Sequence, residues 1–108
     1  MSKQRIPPEV EEQVNEIVDR FNHAVIQDAR HFFVLRYRGM YTYLDRRDGH
    51  IVSQRGRIKY TGTMRDWEFA IFKYSSETYD PDEWMFPGSQ YLNGTVEGAL
   101  KACVEAYP

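Results

Sequence analysis

After Pro7-Pro8, the apolar residues Val10, Val14, Ile17, Val18, Phe21 and Val25 recur at helical spacing. Their stripe predicts an amphipathic helix over roughly residues 8–28. Pro8 suits a first helical turn, where its missing N–H has no intrahelical acceptor to serve. Glu9, Glu11 and Glu12 suit the positive end of the helix dipole. Residues 1–7 are expected to form a flexible arm.

The period then changes from helical to alternating. His31 to Tyr37 is rich in aromatic and branched residues and reads as a strand. Arg38-Gly39 marks a tight turn, and Met40 to Leu44 reads as the returning strand. Asp45 to His50 reads as a turn or short loop around Asp48-Gly49. Ile51-Val52-Ser53 extends the sheet briefly, and Gln54-Arg55-Gly56 interrupts it. Arg57 to Thr61 alternates polar with apolar, the pattern of a strand with one wet face. Trp67 to Tyr74 is the longest strand candidate. Its Trp67, Phe69 and Ile71 are expected to pack inward, with Ala70 and Phe72 on the other face.

Residues 75–93 sustain no period and form a long aromatic loop, punctuated by Asp80-Pro81-Asp82 and Pro87-Gly88. A last helix starts near Thr95, a good N-cap, and carries the stripe Val96, Ala99, Leu100, Cys103, Val104 and Tyr107. Gly98 inside it costs about 1 kcal/mol relative to Ala, which a close approach to another backbone would explain. These elements predict an α+β fold: an N-terminal helix, an antiparallel sheet of about four strands and a C-terminal helix. Both helices cover one sheet face and leave the other partly open.

The chain of 108 residues fits a single domain, residues 1–108, and its 42% hydrophobic content supports one core. The lone Cys103 forms no internal disulfide, which fits a reducing compartment. The N-terminal residues have no apolar stretch suited to a signal peptide, and no apolar run approaches the roughly 20 residues of a membrane span. A cytoplasmic location without membrane contact is expected. Three scattered histidines, one cysteine and the Asp80/Asp82/Glu83 turn do not match metal-ligand spacing, so neither metal nor cofactor is expected.

The net charge of −2 is unevenly spread. Residues 1–29 carry −3, residues 30–65 carry +7 and residues 66–108 carry −6. A basic middle segment either balances the acidic ends within one fold or forms a face for an anionic partner. Arg36, Arg38, Arg57 and Lys59 alternate on two strand candidates, and Tyr41 and Tyr43 lie between them. Arg and Lys neutralise phosphates and Tyr rings stack on unpaired bases, so these six residues are candidates for binding single-stranded nucleic acid. Tyr37 and Tyr60 have the parity of the buried face.

The rival reading is a protein-interaction or self-association domain using Trp84, Met85 and Phe86, since aromatics and Met are enriched at interface cores. The plainer alternative is that they close one end of the core. A third reading is a small enzyme or ligand carrier with a pocket between the sheet and the long loop. No phosphate loop, nucleophile elbow or metal motif names a catalytic residue. Binding is therefore ranked above catalysis.

The segments Phe33 to Gly39, Lys73 to Trp84 and Gly94 to Leu100 resemble a group of small bacterial proteins of uncharacterised function. The resemblance implies no activity, cofactor or site. The helix–strands–helix order is also similar to that of double-stranded RNA-binding domains. Here the second helix begins Thr95-Val96-Glu97-Gly98 and carries only Lys101, without the lysines that family uses. None of that family's functional residues carries over.

Overall fold

A computed structural model describes residues 4–83 and 85–108. Helix α1 (Pro8–Phe21) starts with proline in its first turn and acidic Glu9 and Glu11 beside it. Five strands follow: β1 (His31–Arg38), β2 (Tyr41–Asp48), β3 (Ile51–Lys59), β4 (Glu68–Lys73) and β5 (Thr78–Asp80). They form one antiparallel sheet in the order β1-β2-β3-β4-β5, an uninterrupted meander. A short 3-10 turn (Ser89–Tyr91) leads to helix α2 (Val96–Ala106), capped by Thr95, whose side chain accepts from the Gly98 N–H.

Both helices lie on one face of the sheet, as their single apolar stripes require. The core joins Val10, Val14, Val18 and Phe21 of α1 to Val96, Ala99, Leu100 and Cys103 of α2. Beneath them lie Phe33, Leu44, Ile58 and Trp67 from the sheet side. Tyr37 belongs to this side, and its hydroxyl donates to Asn15 Oδ1 of α1 at 2.8 Å. Burying the Cys103 thiol pushes its pKa up to about 12, so it is a packing group without thiolate character.

Three features depart from the sequence reading. The sheet has five strands rather than about four, because Thr78–Asp80 pairs with β4. Three residues are too few to show a period. β3 is continuous from Ile51 to Lys59, and its irregularity is a bulge opposite Leu44/Asp45 that leaves Arg55 as the extra residue. Asp45 to Asp48 continue β2 instead of forming a loop, which confines the turn to Gly49-His50.

The first helix also ends differently. The α-helix stops at Phe21, and Asn22–Ile26 form a π-helical turn. Its Gln27 N–H donates to Asn22 O at 2.8 Å, five residues back. Of the N-terminal arm, Ile6 is buried in the core and its N–H donates to Gly39 O at 3.0 Å. Ile6 is thereby tied to the β1–β2 turn.

Candidate nucleic-acid interface

Directly opposed residues of an antiparallel pair point to the same face. The register sets Arg36 opposite Tyr43, and Tyr43 opposite Arg57. The next row sets Arg38 opposite Tyr41, and Tyr41 opposite Lys59. All six sequence-predicted residues therefore occupy two adjacent rows across β1, β2 and β3. Their face is the one turned away from the helices, since Phe33, Leu44 and Ile58 point the other way.

Side-chain contacts tie these rows into a lattice. The Arg36 guanidinium lies 4.6 Å from the centre of the Tyr43 ring. The Arg57 guanidinium lies 4.5 Å from the Tyr41 ring and 5.1 Å from the Tyr79 ring. Tyr79 reaches this position from β5. Its register partner is Phe72, and the small Ala70 beside Phe72 leaves room for the ring to meet Tyr43 edge-on at 5.4 Å. Stacking of this kind holds guanidinium groups flat and in place.

Asp45 anchors one end of the lattice. Its side chain is only 4% exposed, whereas that of its partner Arg36 is 54% exposed. Arg36 Nε donates to Asp45 Oδ2 at 2.6 Å, and this bond to the carboxylate holds the guanidinium pKa above its ordinary value. The Tyr79 hydroxyl is buried beside them. Burial first, and then the charge of Asp45, raises its pKa.

The other cations of this face are not committed in this way. Among the described residues, no carboxylate lies within ion-pair distance of Arg38, Arg57 or Lys59. Glu68 is the register partner of Lys59 but forms no ion pair with it.

Two further arginines of the basic segment serve the fold. Arg46 points to the helix side, over Phe33 at 5.6 Å. Arg55 stacks on Tyr107 at 5.1 Å and approaches Asp48 at 3.7 Å. Asp48 also pairs with His31 Nδ1, a bond that holds its carboxyl below the usual carboxylate range. The +7 segment thus divides between internal balance and one outward face. Sequence reasoning missed Asp45 and Tyr79. The parity 41, 43, 45 would have found Asp45 had β2 been extended, whereas Tyr79 sits in a strand too short for any pattern.

Of the residues expected at a protein interface, Met85 is 90% exposed. Phe86 instead stacks on Phe69, with ring centres 6.0 Å apart. Trp84 lies outside the described residues. Among the described residues, no three His, Cys, Asp or Glu side chains are grouped as metal ligands would be. No helix among them is long and apolar enough to cross a membrane. The chain matches no family model, and no curated protein or solved structure matches it either.

Proposed function

We propose that this domain binds single-stranded nucleic acid across the sheet face opposite its helices. The observation that carries the reading is the pair of rows Arg36-Tyr43-Arg57 and Arg38-Tyr41-Lys59 on one face. Arg38, Arg57 and Lys59 contact phosphates, and Arg36 adds what charge Asp45 leaves it. Tyr41 offers a ring for a base to stack on. Tyr43 contributes less as a platform, because both Arg36 and Tyr79 lie against its ring, whereas the one cation stacked on Tyr41 is Arg57.

Fluorescence anisotropy with labelled mixed-sequence RNA and single-stranded DNA tests this at low and physiological salt. Three phosphate contacts, from Arg38, Arg57 and Lys59, give a slope of roughly −2 in log affinity against log salt, at about 0.7 per contact. Arg57→Glu and Lys59→Glu are expected to weaken binding to all sequences alike, and Tyr41→Ala by about 1–3 kcal/mol. Absence of binding at low salt, or unchanged binding in the Arg57→Glu/Lys59→Glu double variant, defeats the reading.

A second reading, contact with a protein partner, rests on the exposure of Met85. Light scattering of wild type and Met85→Ser separates the two. Self-association that Met85→Ser abolishes supports it, and a monomer at high concentration counts against self-association.

A further inference from the structure

The residues of an inner strand direct their main-chain N–H and C=O groups alternately to one neighbour and the other. The Tyr60 N–H donates to Met40 O at 2.8 Å, so the even-numbered residues at this end of β3 pair with β2 and the odd-numbered ones with β4. Arg57 and Lys59 are opposite Ala70 and Glu68. The main-chain groups of Trp67, Phe69 and Ile71 therefore point to the far side of β4. Ile71 there meets Asp80 of β5, and the Trp67 N–H donates to Gly94 O at 2.8 Å.

Phe69 lies between them. The register of β5 would bring Asp82 opposite it, but the chain turns away at Pro81. The Asp82 N–H donates to Asp80 Oδ1 at 2.9 Å instead. Among the described residues, none pairs with the outward N–H and C=O of Phe69.

A cavity of about 470 Å³ opens at this gap. Its floor reaches the core at Ile58 and Ala99, and Trp67, Phe69 and Leu92 form apolar walls. Trp67 is 4% exposed, and its indole N–H is buried without a partner. An apolar cavity of this size with a few polar groups has the form of a small-ligand site. We propose that it binds a small apolar molecule carrying one amide, uncharged or cationic and about the size of a capped amino acid. The amide completes the ladder at Phe69 as one residue of an added strand would.

Charge selects against anions. Asp66 and Glu83 line the cavity, no basic side chain does, and the Glu68 side chain points to the opposite face beside Lys59. Lys73 neutralises Glu83 at 2.6 Å, which leaves the carboxylate of Asp66. The N-terminus of α2 offers only about half a positive charge against it.

The test titrates the 15N-labelled full chain with N-acetyl-phenylalanine amide and, separately, with N-acetyl-phenylalanine. Saturable shifts at millimolar concentration, centred on the Phe69 amide and the Trp67 indole N–H, are expected with the amide. The carboxylate form is expected to bind roughly tenfold more weakly. Ala99→Leu fills the floor and should abolish the shifts. The proposal is overturned by absence of saturable shifts, by shifts centred on the edge residues Leu35 and Tyr37, or by undiminished binding in a folded Ala99→Leu protein. Should that variant not fold, the wild-type shift map and the amide-to-carboxylate ratio decide alone.

Discussion

The side chain of Asn22 pairs with the backbone of Phe33 as a neighbouring strand would. Its Nδ2 donates to Phe33 O at 3.0 Å, and its Oδ1 accepts from the Phe33 N–H at 2.9 Å. Phe33 belongs to β1, an edge strand whose odd-numbered residues direct their main-chain groups away from β2. An unpaired edge invites another chain to add a strand. Asn22 blocks that edge at one residue from the first position of the π-helical turn.

Asn22→Ala is expected to destabilise the fold by about 1–2 kcal/mol, because two modest hydrogen bonds are lost and water restores part of the loss at an edge. Urea unfolding measures this, and amide hydrogen exchange should speed up at Phe33. Unchanged exchange at Phe33 would show that the paired amide does not protect the edge.

Gly98→Ala reverses the usual sign of a helix substitution. Alanine normally gains about 1 kcal/mol over glycine inside a helix. Here a Cβ would fall 2.5 Å from Asn93 Oδ1 and closer still to Tyr91 O. One neighbour is backbone, and the other accepts from the Thr95 N–H and hydroxyl. Neither yields cheaply, so a net loss of about 1–3 kcal/mol is expected. A rise in melting temperature would be inconsistent with that contact.

Alternation at 36/38, 41/43 and 57/59 was legible because each pair lies beside a turn rich in glycine or polar residues, which fixes strand direction and parity. Asp45-Arg46-Arg47-Asp48 hid a strand, because four charged residues show no apolar period. They remain in the sheet with Asp45 buried under Tyr79 on one face and Arg46 and Asp48 grouped with His31 and Arg55 on the other. The clash that requires glycine at position 98 arises from a loop whose path no local pattern specifies. The gap at Phe69 depends on a single Asp-Pro-Asp turn leaving the sheet one residue early.

Tyr37 sets part of the alkaline limit. Burial, and then the charge of Glu11, push its hydroxyl up to about 12. An unfolded tyrosine ionises near pH 10. The folded state holds the proton more tightly, so this stability is fully present below about pH 10 and is lost as pH rises towards about 12. Tyr37→Phe removes the hydrogen bond to Asn15 and is expected to cost about 1 kcal/mol at neutral pH. The gap between wild type and variant should narrow across that alkaline window in denaturant titrations at stepped pH. A constant gap would mean that the hydroxyl does not titrate with folding.

The ion pair between Arg36 and Asp45 should respond unequally to loss of either partner. Arg36→Gln leaves a carboxylate that is 4% exposed without its counter-charge. Breaking a buried pair from one side costs about 3–5 kcal/mol, and the partial exposure of Arg36 lowers the expectation to about 2–4 kcal/mol. Asp45→Asn leaves only a guanidinium that is 54% exposed and can reach water, so about 1 kcal/mol is expected. Equal losses in chemical denaturation would mean that burial of Asp45 does not govern the pair. Asp45→Asn has a second consequence. It frees the charge of Arg36 on the face proposed for nucleic acid, so affinity should rise while stability falls, with the salt slope steeper by about 0.7. A variant less stable yet tighter in binding is hard to obtain from general damage to the fold. It is expected if Asp45 restrains a phosphate-binding arginine.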